Sequence, residues 1–234
     1  MIENHVYKNR RRQALRGATI LFTEMSPDED WEDDFNHWYD THHIPARTRV
    51  KGFIGAQRYR DPDRPTYLAV YEIAKEDVLE CTDYQKVRAQ PNAQTAWMLS
   101  NVQNYSRYIG NEIFYKLQDG ADDTALDEAY IYAVFFSVPD DRAEEFNKWY
   151  DEEHSSMLLE CPEWKAVRRF EITDGDPQPW THLALHYLSD VKAALSSTER
   201  EAASNTEWRK KLMQESWFQG STHIYEAFGN RFTA

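Results

Sequence analysis

The sequence has only two cysteines in 234 residues. Cys81 and Cys161 lie far apart and in no metal-type spacing, which excludes a disulfide-stapled scaffold. They read as reduced thiols of a cytoplasmic protein. No stretch approaches the roughly 20 apolar residues that a membrane-spanning helix needs. There is no GxGxxG, no GxSxG and no phosphate-cradling glycine loop, so nicotinamide, Rossmann-type flavin and serine-hydrolase chemistry find no support. No His/Cys/Asp cluster has zinc spacing, and no metal is expected. Positive charge is in deficit: 27 Lys and Arg stand against 40 Asp and Glu, a net charge of -13. Nucleic acid and anionic membrane both need clustered cations, so neither is expected as a partner. The one basic cluster is Lys8, Arg10, Arg11, Arg12 and Arg16. It lacks the apolar run of a signal peptide and reads as a solvated arm or interface strap over residues 1–16.

What the sequence has instead is aromatic rings and a repeat. Eight Trp, 14 Tyr and 11 Phe supply a core and material for pockets or interfaces. Phe35-Asn36-His37-Trp38-Tyr39-Asp40-Thr41-His42-His43 returns as Phe146-Asn147-Lys148-Trp149-Tyr150-Asp151-Glu152-Glu153-His154, at a constant offset of 111 residues. Two copies of one folding unit, a fused dimer, explain this.

Each copy reads in the same order. An apolar, β-branched strand (18–25; 129–136) enters an acidic turn, followed by helices over 31–43 and 142–154. Second strands follow at 55–60 and 166–171, third strands at 67–72 and 182–187. A long polar helical region and a last strand close each copy. The pattern is βαββαβ twice, the split βαβ or ferredoxin-like unit. The expected organisation is the arm at 1–16, a first unit at 17–117, an acidic linker at 118–126 and a second unit at 127–234. The fold class is α+β. Two such units can bury their open sheet faces against each other and enclose a cavity.

Trp38-Tyr39-Asp40…His43-Ile44-Pro45, Trp149-Tyr150-Asp151…His154, Gly52-Phe53 and Arg58-Tyr59 resemble the dimeric α/β-barrel superfamily, and within it the EthD-like branch. The resemblance covers nearly the whole chain after the basic arm. It implies an intramolecular dimeric barrel. Superfamily members include cofactor-free decarboxylases, lactone isomerases, polyketide cyclases, cofactor-independent monooxygenases and haem enzymes, so it leaves the reaction open. The second copy has Ser155-Ser156 in place of Ile44-Pro45, and Glu163-Trp164 in place of Gly52-Phe53. The first copy is therefore the expected bearer of an active site.

The candidate chemistry is acid–base. Asp40 and His43 stand three apart on a helix and would share a face. A carboxylate there can fix one imidazole tautomer and leave the other nitrogen to move a proton. A position near a helix C-terminus would favour imidazolium. Asp151 and His154 repeat the pair; a mutual cap without catalysis is the plain alternative. Arg58 and Arg169, on matching strands, could hold a carboxylate or enolate, or simply pair with Asp40 and Asp151. Tyr39 and Tyr150 could donate from a wall. Trp38, Trp149, Tyr71 and His186 are expected around a cavity. His42 has no matching histidine and is a neighbour. The expected function is cofactor-free lyase or isomerase chemistry on a small aromatic or apolar acid or lactone. His43 would be the acid/base, Asp40 its orienting partner, and Tyr39 and Arg58 would steady negative charge. His154 and His186 would serve the same or a twin cavity. The alternatives are a haem or cofactor-independent oxidoreductase, with His43, His154, His186 or His223 as axial ligand, and a non-catalytic small-molecule binder. A homodimer of the fused pair, through the arm and open sheet edges, is a further possibility.

Overall fold

The computed structural model describes residues 15–234. Of the basic cluster only Arg16 falls within them; Lys8, Arg10, Arg11 and Arg12 lie outside. Eight strands are present: β1 (Thr19–Ser26), β2 (Phe53–Arg60), β3 (Tyr67–Ile73), β4 (Gln103–Leu117), β5 (Tyr130–Phe136), β6 (Trp164–Asp176), β7 (His182–Leu188) and β8 (Ser221–Thr233). They close into one antiparallel barrel in the order β1-β3-β2-β8-β5-β7-β6-β4. Each half contributes a four-stranded ferredoxin-like sheet, β4-β1-β3-β2 and β8-β5-β7-β6. The long fourth strands join them. β4 pairs with β1 and then crosses to β6, with Arg107 opposite Asp176 and Leu117 opposite Ala166. β8 pairs with β5 and then with β2. The fold is that of two tandem units packed as an intramolecular α/β barrel. Because the barrel is closed, none of the eight strands leaves the open edge through which a homodimer was expected to pair.

Period-2 alternation decides which side chains face inward. Ile20, Phe22, Leu68 and Val70 meet Ile131, Ala133, Phe135, Leu183 and Leu185 in a single interior cluster. Phe22 and Phe135 stand edge to face with ring centroids 5.4 Å apart. The interior between the sheets is thus filled by bulky side chains, and the cavities lie elsewhere. Leu21 and Met25 point the other way, to the helices of the first half. The linker also contributes: Ala125 and Leu126, in a short 3-10 turn, are buried in the interior cluster. One charged group sits in this setting. Arg168 is fully buried, bonded to Glu72 Oε1 at 2.6 Å, Glu112 Oε2 at 2.7 Å and the Gly17 carbonyl at 3.1 Å. Its counterpart at the repeat offset is Gln57, so this cross-half cluster belongs to one copy only.

The helices cover the outer faces. In the first half α1 (Glu32–Trp38) runs through a π-helical turn at Tyr39–His43 into α2 (Ile44–Thr48), and α3 (Thr82–Ala89) and α4 (Ala93–Asn101) follow β3. In the second half α5 (Ala143–Lys148), a π turn at Trp149–His154 and α6 (Ser155–Leu158) repeat this; α7 (Lys192–Ser196), α8 (Thr198–Ser204) and α9 (Glu207–Leu212) follow β7. The first helix therefore does not end at His43. Gly52 ends the turn into β2 with φ +107°, and a Cβ there would meet Val78 Cγ2 at 2.4 Å. That accounts for glycine at this position.

Candidate active site

The repeated Trp-Tyr-Asp-x-x-His block forms the two π turns. The Ile44 amide bonds the Tyr39 carbonyl, and the Ser155 amide bonds that of Tyr150, both five residues back. Such a turn holds more residues than an α turn. Residues three apart swing off a common face, and residues five apart come onto one. This overturns the expected Asp40–His43 pair. Asp40 instead accepts from Arg58 at 2.9 Å, and Asn36 Oδ1 accepts from the same guanidinium at 2.6 Å. Asp151, Asn147 and Arg169 repeat the clamp, each oxygen 2.5 Å from the guanidinium. The ion-pair reading of both arginines is the one the structure bears out. The His43 ring is buried against Trp38 and Tyr39, with centroids 4.4 and 4.6 Å away. His42 is exposed.

The four expected first-half residues thus come together in a different order. Asp40 holds Arg58, the guanidinium carbon of Arg58 lies 4.6 Å over the Tyr39 ring, and that ring packs on His43. The Tyr39 and Tyr71 hydroxyls are both buried, and neither has a hydrogen-bond partner of good geometry among the described residues. Burial pushes both phenols up. Burial, then the charges of Arg47 and Arg58, hold the His43 imidazole well below its usual range. The helix continues beyond His43, so no C-terminal dipole favours imidazolium. At neutral pH the ring is therefore uncharged, not the imidazolium that a helix C-terminus would favour.

His43 lines a cavity of about 520 Å³ between the first sheet and its helices. Leu21, Met25 and Val87 give it apolar walls. Arg47, Arg49, Arg88 and Arg107 supply four guanidinium groups, and among the described residues no carboxylate lines it. Arg47 donates to the His43 carbonyl at 3.0 Å; Arg107 is paired with Asp174 at 2.7 Å. Trp38 and Tyr71, expected as cavity wall, are instead buried in the first-half core. The cavity arginines were missed from the sequence. A signal existed: at the repeat offset Arg47 and Arg49 face Leu158 and Glu160, so the second copy lacks both cations.

A second cavity, of about 260 Å³, occupies the equivalent place in the second half and shares no lining residue with the first. Here Trp149, Tyr150, His154 and His186 line the wall. Trp164 Nε1 donates to His186 Nδ1 at 3.0 Å, and His186 Nε2 lies 2.8 Å from the Tyr150 hydroxyl. Burial holds His154 down at about 3 and His186 well below the usual imidazole range.

An axial haem ligand needs a free ring nitrogen. His186 has both nitrogens engaged by Trp164 and Tyr150, and His223 has both engaged by Arg64 and Ser221. Neither fits iron. The His154 cavity is half the volume of the first. Among the described residues no three His, Cys, Asp or Glu side chains gather to hold a metal ion, and no helix is long and apolar enough to cross a membrane.

No protein-family model and no curated protein matches the chain. Solved structures do. The chain is similar to an anthrone oxidase-like protein at 9% identity and TM-score 0.69, over 94% of this chain and 95% of that one. It has the dimeric α/β-barrel fold. It is also similar to an assigned monooxygenase from Fusobacterium nucleatum subsp. nucleatum, at 9% identity and TM-score 0.60 over 93% and 95% of the chains. A chlorite dismutase from Candidatus Nitrospira defluvii matches at 10% identity and TM-score 0.58, over 90% of each. At these identities the likeness speaks for the fold. The names it brings together are mostly those of small-molecule enzymes.

Proposed function

We propose that the chain is a small-molecule enzyme that abstracts a proton from a small aromatic or apolar acid or lactone in the first cavity, without a cofactor. The observation that carries this is His43. A buried, neutral imidazole stands on the wall of a cavity whose charged lining is all cationic. Burial and the nearby guanidinium charges keep this imidazole unprotonated. A substrate carboxylate seated against the guanidinium groups offsets that charge, so the ring can accept a proton as the enolate forms beside the same groups. Tyr39, Arg58 and Asp40 are positioning residues, stacked behind His43 in that order. Two outcomes use these groups. In an isomerase His43 takes a proton from carbon and returns it at another carbon. In a lyase the substrate carboxylate leaves as CO2, and the electrons of its C–C bond form a carbanion held as the enolate beside the guanidinium groups; a proton from solvent completes the product. The names of the structural neighbours support a second reading, in which the carbanion reacts with O2; the residues and the first step are unchanged.

The test begins with an absorption spectrum of the purified protein, because a Soret band would replace this reading with a haem enzyme. Aromatic β-keto acids and enol lactones are then followed by NMR in D2O. Protein-dependent decarboxylation, isomerisation or C–H exchange is the expected result. No turnover across the panel, with the acids bound in the first cavity, would favour a carrier over an enzyme.

A further inference from the structure

The second cavity differs from the first in chemistry, not only in size. Its charged lining groups are Arg200 on α8 and Arg209 on α9, and neither has a carboxylate partner among the described residues. Arg209 donates to the Ser204 carbonyl at 3.0 Å, and its Nε is buried with no partner. Trp149 Nε1 is likewise buried without one. The hydrogen-bond chain in the wall also has a fixed direction. An indole N–H can only donate, so His186 Nδ1 accepts from Trp164, and the proton of this neutral ring sits on Nε2. Nε2–H then donates to the Tyr150 oxygen. The Tyr150 hydroxyl has accepted, and its own proton is left for an oxygen in the cavity. Trp164, His186 and Tyr150 therefore act as one relay of donors ending at the ligand. The first half cannot build this relay, because Phe53 and Tyr71 stand where Trp164 and His186 would be.

We propose that the second half is a separate binding site for a single-ring aromatic monocarboxylate, with its carboxylate between Arg200 and Arg209 and in reach of Tyr150. Two uncompensated guanidinium groups and a directed hydroxyl donor call for an anionic oxygen acceptor. The rings of Phe136, Trp149, Trp164 and Phe218 call for a flat apolar body. The volume limits that body to about one ring. The site does not depend on the reaction proposed for the first cavity.

Trp149 and Trp164 line this cavity, and among the described residues no tryptophan lines the other. Protein carrying 5-fluorotryptophan, with these two 19F signals assigned by Trp→Phe substitution, is titrated with phenylacetate and with neutral phenylacetamide. Phenylacetate is expected to shift both signals saturably, at least about tenfold more tightly than the amide. Arg209→Gln should weaken it by about tenfold or more, and Tyr150→Phe by less. Arg88→Gln, in the first cavity, should leave the two shifts as they are. Equal binding of acid and amide to the unaltered protein, or no shift of either signal with millimolar phenylacetate, would overturn the proposal. Neither outcome touches the first-cavity reading, which is followed by turnover.

Discussion

Acid should unfold this protein through its buried histidines, and His154 gives the magnitude. Its native value is about 3, against the ordinary 6.5 that it regains in the unfolded chain, because burial and the neighbouring Arg209 disfavour its charged form. The folded value is the depressed one, so the unfolded state binds more protons below pH 6.5. The stability is fully present above that pH, and the loss grows as pH falls toward 3. At about 1.4 kcal/mol per pH unit, His154 alone costs about 2 kcal/mol between pH 7 and pH 5. His182, held at about 4 by burial, acts with the same sign, as do His43 and His186. Urea unfolding at pH 7 and pH 5, followed by circular dichroism, measures the loss in the unaltered protein and in His154→Gln. The variant starts from a lower stability but should lose about 2 kcal/mol less between the two pH values. Equal losses in the two proteins would refute the reasoning, because they would mean that His154 is protonated in the native state.

Arg168→Met should cost about 3–5 kcal/mol in urea unfolding, because Glu72 is left buried without its cation; Arg168→Met with Glu72→Leu should recover much of it. Asp40→Asn removes the charge that faces Arg58. The Asp40 side chain is 39% exposed, so the loss should be only about 1–2 kcal/mol. Since Asp40 does not touch His43, the same variant should leave the acidic limb of the pH–rate profile in place, and a moved limb would restore the Asp–His pair. Gly52→Ala should cost about 1–3 kcal/mol, through its positive φ and the contact with Val78, as read by thermal unfolding.

The fold was legible because the repeat carries its own register. A fixed offset of 111 residues placed matching strands and helices; the strands β1, β3, β5 and β7 are apolar on both faces, so which residues turn inward was not legible from their pattern. The contents of the barrel were less legible. Nothing local in the linker marks Leu126 as an interior residue, and Arg168 meets Glu72 only because β6 and β3 come from different halves of a closed ring. The site was half legible. Trp, Tyr, Asp and His at fixed spacing pointed to the right segment, but an α-helical spacing rule assigned Asp40 to His43. The π turn rotates them apart and gives Asp40 to Arg58. The cavity arginines come from α2, α3 and β4, which only the folded chain brings together. In the second half Trp164 was seen as a departure from Phe53. Its role, fixing the His186 tautomer, needed the distance across β6 and β7.

The central claim is that His43 moves a proton in the first cavity. It is tested most directly by comparing the unaltered protein with His43→Gln in the D2O assay, on whichever acid or lactone turns over. Folding is checked by circular dichroism on the same samples. The account predicts a loss of rate of about 10²-fold or more with the fold intact, the usual scale for removing a general base. Full turnover in a folded His43→Gln protein would contradict it.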